Sequence, residues 1–515
     1  MHQINLFTLI STRLHAIRHK IRKIRTSSKS NLDMLPHSVV NRIIMFHILG
    51  VLVTFVFTLS STAIMIEATL IQNSLELKGP CNASKCLSPS AIDPHLQVEI
   101  VYQGNFSFEY DQVSPVSAMA FLNNDILILN KNNGTVLKLE NHSDGTYHAT
   151  MPLLDVEVAN KQERGLLGIT VLKDENKINV FGKNNLQPKY VFLYFTESKK
   201  NDGSDICQVT FYCDPSTSPL GNRIYRYELQ DNKLQNPKLL LDLPATPAPG
   251  HNGGAIELGP DSNLYVTVGD LVGLINHSSS TKAQNFKNGT DADGRAGILR
   301  ITQDGKEAKS IIGNSYPLDR YFAYGIRNSF GIDFDPVTGY LWDTENGPHY
   351  GDEINLVRPG FNSGWNVVQG IWRPVKPDLE DFIAGDQFSN RNDLVDFGGK
   401  GKYSNPEFTW KNTTGPSGMT FLDSDKLGKK YENDLFVGSF NLGVIFHFDL
   451  NSNRTGLDLE GMLNDKIADS NEELKDVIFL RGLGRITDVE VGPEGYLYVL
   501  SNYANKATIF RIMPT

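Results

Sequence analysis

The chain has 515 residues, of which 40% are apolar and 21% are charged, a composition typical of one large or several ordinary globular domains. Residues 1–66 hold eight Lys or Arg and one acid, so the rest of the chain carries a net charge of −16 while the whole carries −9. A surface this acidic argues against nucleic acid as a partner.

The first element is an apolar run that follows the basic arm, residues 1–42. Residues 43–66 contain no formally charged side chain, and about 20 apolar residues are enough to span a bilayer. The basic flank would remain cytoplasmic. A cleaved signal peptide is the alternative, but its apolar region is usually about 7–15 residues long and ends at a small-x-small site. We therefore predict one transmembrane helix, a single-pass protein of the cell membrane, and an extracellular remainder.

Two features after the apolar run agree with an extracellular position. The four cysteines form two close pairs, which predict the disulfides Cys81–Cys86 and Cys207–Cys213. A metal site of four thiolates is the alternative, but neither pair has the two-residue gap usual in structural zinc sites. Residues 67–96 are predicted to be a linker. All eight Asn-x-Ser/Thr sequons also follow the run: Asn82, Asn105, Asn133, Asn141, Asn276, Asn288, Asn412 and Asn453.

The remainder, residues 97–515, is rich in strand-like runs that end at Gly, Asn, Asp or Pro turns. A closing strand recurs six times: VLKLE (136–140), IYRYE (224–228), ILRIT (298–302), INLVR (354–358), IFHFD (445–449) and IFRIM (509–513). Sheets arranged radially around a channel bury each other's faces and expose only short edges. We therefore predict an all-β fold, a six-bladed β-propeller with inserted loops.

Glycine-rich loops lie between these strands: ERGLLG (163–168), GHNGG (250–254), YGIRNSFG (324–331), ENGPHYGDEINL (345–356), GPSGM (415–419) and LGRITD (483–488). With these motifs in this order, residues 97–513 resemble the soluble glucose/sorbosone and aldose sugar dehydrogenases that use pyrroloquinoline quinone (PQQ). The most specific stretch is YGIRNSFGIDFDPVTGYLWDTENGPHYGDEINLVRPGFNSGWN. The resemblance implies a six-bladed propeller with PQQ and Ca2+ as cofactors and a small sugar as substrate.

The resemblance also implies a catalytic set. His251 would take the proton of the sugar's anomeric hydroxyl, since imidazole is the usual base near neutral pH. Asp270 would orient His251, and Arg327 with Asn328 would contact the quinone oxygens, where a guanidinium stabilises developing negative charge. Flanking glycines would allow a flat cofactor to come close. Without the resemblance, the same loop is an ordinary polar turn.

Further family positions concern the cofactors. The carbonyls of Gly347 and Pro348 would hold Ca2+, which prefers oxygen ligands in flexible geometry. Asp352 and Glu353 follow closely in the sequence, and without the resemblance they are interpreted as solvated turn residues. Quinone contacts are implied at Glu163, where relatives often have Gln, and at Thr413, Asn441 and Arg485.

Two positions depart from the family pattern. Asn441 stands where relatives have a lysine, and Thr487 stands where they have a second arginine. PQQ carries three carboxylates, and each charged hydrogen bond that is lost typically costs about 1.5–3 kcal/mol. Other cations, such as Lys402 or Lys411, would then have to bind it.

Two functions follow from these observations. The first is a membrane-anchored, outward-facing quinoprotein dehydrogenase that oxidises an aldose-type sugar and passes electrons to an unidentified acceptor. The second is a catalytically weak or inactive propeller that binds carbohydrate or protein. His251 with Asp270 favours the enzyme, whereas Asn441 and Thr487 favour the binding module.

Overall fold

The computed structural model describes residues 88–106, 114–173, 188–198, 220–246, 248–271, 280–371 and 394–515. They all belong to one compact unit, Ser74–Thr515. The predicted transmembrane helix at 43–66 and the four cysteines lie outside the described residues. Within the described ranges, no helix is both long and apolar enough to cross a membrane.

Short strands are the main regular secondary structure of the described chain. In chain order they are β1 Ser90–Ala91, β2 Leu96–Gly104, β3 Val116–Leu122, β4 Asp125–Asn130, β5 Thr135–Asn141, β6 Tyr147–Ala149, β7 Leu154–Asp155, β8 Leu166–Lys173, β9 Pro188–Glu197, β10 Gly221–Gln230, β11 Lys233–Leu243, β12 Ile256–Leu258, β13 Leu264–Val268, β14 Gly297–Ile301 and β15 Tyr321–Tyr324. They continue with β16 Ser329–Phe334, β17 Leu341–Glu345, β18 Tyr350–Val357, β19 Phe361–Asn362, β20 Lys402–Tyr403, β21 Phe408–Asn412, β22 Pro416–Phe421, β23 Leu435–Ser439, β24 Val444–Phe448, β25 Ile467–Ala468, β26 Ile478–Arg481, β27 Arg485–Val491, β28 Leu497–Tyr503 and β29 Lys506–Pro514.

Helices are short in the part of the chain that the structure describes. One α-helix, α1, spans Asn471–Asp476 and begins with a capping box in which the Ser470 side chain accepts the N–H of Glu473. The 3-10 helices are Lys282–Gln284, Leu318–Arg320, Lys429–Tyr431 and Gly461–Asp465.

The described strands form six sheets, and the prediction of an all-β propeller is confirmed. In the order of their pairing, the sheets are β3-β4-β5-β6 with β7 on β5, β8-β9-β10-β11, β12-β13-β14-β15-β19-β20, β16-β17-β18-β21-β25, β22-β23-β24-β26-β1 and β27-β28-β29-β2. Residues of the first strand of each sheet line a common central cavity.

The repeated segments lie in six different sheets, in β5, β10, β14, β18, β24 and β29. Each is the third strand of its sheet counted from the cavity, so the prediction that they close their units was wrong. A further strand pairs with the outer edge of each, because an unpaired edge would leave a row of backbone groups without partners.

The last sheet joins the two ends of the described chain. β2 pairs antiparallel with β29, from Leu96 opposite Pro514 to Gly104 opposite Ala507. β1 pairs with β26 in the preceding sheet. The strand Ser90–Ala91, which lies inside the segment predicted as a linker, therefore already pairs with a sheet of the propeller.

Apolar clusters fill the space between neighbouring sheets. One cluster joins β28 and β29 to β3–β5 and includes Tyr498, Ile509 and Val116, all fully buried. Buried hydrogen bonds cross the same junctions. The Ser117 hydroxyl donates to the Leu166 carbonyl at 2.6 Å, and Asp488 accepts the N–H of Met119 at 2.7 Å. This packing holds the first strands rigidly around the cavity.

Candidate active site

His251 lies on the loop that precedes β12 and adopts a left-handed backbone conformation with φ of +57°. A side chain beyond glycine is disfavoured there by about 1–2 kcal/mol. Its N–H donates to Glu163 Oε2 at 2.6 Å, and its carbonyl accepts the N–H of Leu271 at 3.2 Å. These two bonds hold the loop in a conformation that places the imidazole beside the end of β13.

The imidazole contacts a buried carboxylate, that of Asp270. His251 Nδ1 lies 2.6 Å from Asp270 Oδ1, and the other oxygen, Oδ2, accepts the indole N–H of Trp365 at 2.7 Å. Burial alone would raise the pKa of Asp270, but His251, Arg327 and the Trp365 hydrogen bond together lower it. A carboxylate that stays ionised keeps the proton of the ring on Nδ1, so Nε2 is the atom left to accept one.

Arg327 lies in the loop between β15 and β16, next to this pair. Its N–H donates to Glu345 Oε1 at 2.7 Å, and its guanidinium donates to the Asn346 carbonyl at 2.7 Å. The guanidinium carbon is 5.3 Å from the ring centre of Trp365. Burial lowers the pKa of Arg327, although nearby carboxylates, Asp270 first among them, oppose that shift. The buried Nε has no hydrogen-bond partner among the described residues, so one donor remains for a ligand.

Glu163 and Asn328 form a bridge between three loops. Glu163 Oε2 also accepts the side-chain amide of Asn328 at 3.1 Å, and Asn328 Oδ1 accepts the N–H of Gly253 at 3.1 Å. The family resemblance implies that these two residues contact the cofactor. The structure shows that they also hold the His251 loop in place.

Asp352 connects two further predicted segments. It is fully buried and accepts the N–H groups of Gly347 at 2.8 Å, Thr414 at 2.6 Å and Gly415 at 2.9 Å. Burial raises its pKa to about 6 in spite of these bonds. The loop proposed for Ca2+ and the loop that contains Thr413 are therefore held together by one carboxylate.

Glu353 is also buried, so the interpretation of Asp352 and Glu353 as solvated turn residues was wrong. They are adjacent on β18 and so project to opposite faces of its sheet, and both faces are buried there. Burial raises the pKa of Glu353 to about 8 and that of Asp343 to about 7. The pKa of Glu345 is raised well above its usual range by burial and then by repulsion from Glu353. This acidic interior is a feature that local sequence pattern did not indicate.

The central cavity has a volume of about 270 Å³ and is lined by Glu163, Gly253, Asn346 and Asn441 among others. His251, Asp270 and Arg327 lie behind this wall, joined to it through Glu163 and Asn346. Among the described residues, Lys131 is the one Lys or Arg that lines the cavity.

Lys131 was missed by sequence analysis. It is 5% exposed, and its Nζ donates to the Gln162 carbonyl at 2.8 Å. The two cations that the sequence suggested, Lys402 and Lys411, do not line the cavity. Lys131 follows β4 and is brought to the cavity by the packing of the first two sheets, which no nearby motif indicates.

The two departures from the family pattern fall where they were expected. Asn441 and Thr487 both line the cavity, and the Asn441 N–H donates to the Thr414 carbonyl at 3.1 Å. Arg485 lies outside the cavity wall, with its guanidinium carbon 5.3 Å from the ring centre of Phe440, which does line it. Thr413 is not in the wall, although its neighbour Gly415 is.

The glycines of the site have a different role from the one predicted. A Cβ on Gly168 would lie 1.9 Å from the carbonyl oxygen of Gly254, and a Cβ on Gly253 would lie 2.5 Å from that of Thr267. These glycines allow backbones of the protein itself to come close. Gly253 and Gly254 also line the cavity, so a flat ligand would meet them as well.

The fold and site define a β-propeller with a histidine–carboxylate pair and a buried arginine beside a central glycine-lined cavity. The profile of the glucose/sorbosone dehydrogenase family matches residues 113–511. This is more than half of the chain, and the chain belongs to that family.

Known proteins similar to this chain include named sugar dehydrogenases. Aldose sugar dehydrogenase YliI of Escherichia coli is 28% identical over 267 residues, which are 50% of this chain and 59% of that protein. Quinoprotein glucose dehydrogenase B of Acinetobacter calcoaceticus is 28% identical over 256 residues, 48% of this chain and 49% of that protein. The aligned parts thus span less than two thirds of these relatives.

Solved structures show the same fold. The apo-form of the soluble aldose sugar dehydrogenase from Escherichia coli has a TM-score of 0.55 and 20% identity, covering 82% of this chain and 100% of that one. The PQQ-bound aldose sugar dehydrogenase from Streptomyces coelicolor has a TM-score of 0.51 and 19% identity, with coverages of 82% and 100%.

Proposed function

We propose that this protein is a PQQ-dependent dehydrogenase that oxidises an aldose-type sugar. The observation that carries the proposal is the contact of 2.6 Å between His251 Nδ1 and the buried Asp270. This contact leaves Nε2 to receive the proton of the sugar's hydroxyl while the adjacent C–H gives up a hydride. The pair of electrons and both hydrogens thus leave the anomeric carbon and its hydroxyl together, and the product is a lactone.

The cavity offers several contacts for a flat, anionic cofactor, in a wall that also holds Glu163, Glu257, Asp488 and Glu490. When bound, PQQ would supply the hydride acceptor, which amino-acid side chains cannot provide. Arg327 has a buried donor without a partner among the described residues, Lys131 adds a cation at the wall, and Gly253 and Gly254 keep the wall free of side chains. Arg327 would stabilise negative charge on the reduced cofactor.

We also propose that Ca2+ binds at the loop Gly347–Pro348. Its carbonyls would supply oxygen ligands of the kind that Ca2+ prefers. The buried acidic residues Asp352 and Glu345 lie on either side of this loop in the chain, and a bound cation would favour their ionised forms. PQQ titrations with and without Ca2+, after treatment with a chelator, should show tighter binding when Ca2+ is present.

The test of the whole proposal is reconstitution. The full chain is mixed with PQQ and Ca2+, and the absorbance of the cofactor is followed on addition of a panel of aldoses. A sugar-dependent bleaching supports the enzyme. PQQ binding without reduction by any sugar contradicts the dehydrogenase. Failure to bind PQQ would favour the second function, a propeller that binds carbohydrate or protein, with which Asn441 and Thr487 in the cavity wall agree.

The proposal places the propeller outside the cell, anchored by residues 43–66. Sequon asparagines in the described residues support this, since Asn105, Asn133, Asn288, Asn412 and Asn453 are exposed and accessible to glycosylation. Protease added to intact cells should release a fragment of nearly propeller size.

Peptide mapping without reduction should give the disulfides Cys81–Cys86 and Cys207–Cys213. Protection of the propeller until lysis, or free thiols at all four positions, would contradict this placement.

A further inference from the structure

Three side chains that can bind a metal meet at one end of the hairpin β23–β24. His447 and Asp449 are two residues apart along the strand and so project to the same face, and Asp434 directly precedes β23 on the opposite strand. His447 Nε2 lies 2.9 Å from Asp434 Oδ2 and 3.8 Å from Asp449 Oδ1. One ligand atom from each residue falls within 4.8 Å of the others.

This cluster is separate from the cavity. The other end of β23, at Ser439, lies next to the loop of Asn441, which lines the cavity. β23 spans five residues, and a strand rises about 3.3 Å per residue, so the cluster lies at the far end of the hairpin.

The imidazole is fixed by aromatic neighbours. Its ring is stacked on Phe436 with centres 4.9 Å apart and a tilt of 29°, and the ring of Tyr431 meets it edge-on at 5.2 Å. Phe479 lies 5.9 Å away. A ring held in this way presents Nε2 at a defined position, as a ligand must be. The Asp434 side chain is 10% exposed and that of Asp449 is 62% exposed, so solvent reaches the cluster past Asp449.

The charge balance of the cluster also favours a cation. Asp434 and Asp449 lie together, and the negative charge of Asp458 acts on Asp449 as well. His447 can carry at most one positive charge. The neighbouring cation Arg454 is engaged elsewhere, in an ion pair of 2.6 Å with Asp335.

We propose that Asp434, His447 and Asp449 bind a divalent cation of the zinc type. One imidazole nitrogen and two carboxylate oxygens are the ligands that Zn2+ takes, with water at the open fourth position. Bonds of about 2.0–2.2 Å in tetrahedral geometry separate ligand atoms by roughly 3.3–3.5 Å, and the observed 2.9 Å and 3.8 Å lie on either side of that range. The ion would fasten the ends of β23 and β24, so its role is structural.

The test is calorimetric titration of the full chain with Zn2+ after removal of metal and of any affinity tag. Wild-type protein should bind one Zn2+. The variants Asp449→Asn and His447→Gln should bind Zn2+ at least about tenfold more weakly, since loss of even an outer-shell partner costs about 10–100-fold in affinity. Asp425→Asn, which changes an exposed carboxylate outside the cluster, should bind like the wild type.

Folding is checked by the melting temperature without metal. Asp449→Asn should melt like the wild type because Asp449 is largely exposed, and only the wild type should gain stability from Zn2+. Absence of Zn2+ binding by the wild type, or equal binding by Asp449→Asn, would overturn the proposal. Neither result depends on PQQ or sugar.

Discussion

Glu163 accepts the backbone N–H of His251 at 2.6 Å, across 88 residues of sequence. The bond holds a left-handed backbone conformation at the proposed base, and the same carboxylate lines the cavity. A negative charge at this place stabilises the loop but repels an anionic cofactor.

Glu163→Gln should therefore bind PQQ more tightly than the wild type. The amide oxygen of Gln can accept both hydrogen bonds that Glu163 Oε2 accepts, from His251 and Asn328, while the charge is removed. We expect Kd to fall about tenfold, or about 1.4 kcal/mol, in a titration followed by protein fluorescence. Glu163→Ala is the matched control, since it loses the acceptor too and should lower turnover. Weaker binding by Glu163→Gln would show that the carboxylate itself is needed by the cofactor.

His251→Gln should lower turnover by about 10²–10⁴-fold, the usual value of a positioned general base. Gln can still donate to Asp270 but cannot take the proton of the sugar. The dissociation constant of PQQ should change little, because His251 does not line the cavity wall. Steady-state kinetics and a PQQ titration on the same preparation separate the two effects. Full turnover by the variant would assign the base to another residue.

Trp365→Phe tests the second hydrogen bond to Asp270. Phe keeps an aromatic ring beside Arg327 but removes the indole N–H that donates to Asp270 at 2.7 Å. A carboxylate with one donor fewer attracts protons more strongly, so the acidic limb of the pH–rate profile should move to higher pH. We expect kcat to fall about tenfold with KM nearly unchanged, for the loss of one charged hydrogen bond. An unmoved pH profile would limit Trp365 to a packing role.

The family resemblance singled out His251, Asp270 and Arg327 because they lie in or near glycine-containing loops, and the structure brings the three residues together. The partners that shape their chemistry come from other sheets. Trp365 reaches Asp270 across 95 residues, and Lys131 reaches the cavity wall from the first sheet. Neither contact leaves a trace in the residues next to it.

Burial of charge was also hidden from the sequence. Alternation of polar and apolar residues shows which face of a strand is exposed, but only for a strand that has one exposed face and one buried face. Consecutive residues of β18 are buried on both faces of its sheet, and its polar residues Asp352, Glu353 and Asn355 are among them. The strand repeat identified one strand of each sheet but not the strand that pairs with its outer edge. The outer partner of β29, for example, is β2, from the other end of the described chain.

Lys131→Met tests whether this cation replaces those absent at Asn441 and Thr487. If Nζ attracts a carboxylate of PQQ, the variant should bind PQQ about 10–100-fold more weakly, corresponding to about 1.5–3 kcal/mol for one charged hydrogen bond. Lys402→Met removes a lysine that is exposed and outside the cavity wall, and it should bind PQQ like the wild type. Equal affinity of both variants would exclude Lys131 from the cofactor site.

Stability should fall as pH rises through the range in which Asp488 ionises. Asp488 is partly buried between the last sheet and the first, where it lines the central cavity, and burial raises its pKa to about 7 in spite of hydrogen bonds from Met119 and Val489. An unfolded aspartate has a pKa of about 3.9. Between these two values the folded state binds the extra proton, so its stabilising effect is complete below about pH 4 and is lost as pH approaches 7.

Asp488→Asn should flatten this part of the pH dependence, because an amide has no proton to lose. Urea unfolding of the wild type should show a lower free energy of unfolding at pH 7.5 than at pH 5, by a few kcal/mol for a shift of this size. The variant should show a smaller difference between the two pH values, even if its absolute stability is reduced. Asp425→Asn, an exposed carboxylate, should keep the wild-type slope. If Asp488→Asn keeps it as well, Asp488 is ionised in the folded protein at pH 5, and its contacts with the first sheet are those of a charged group.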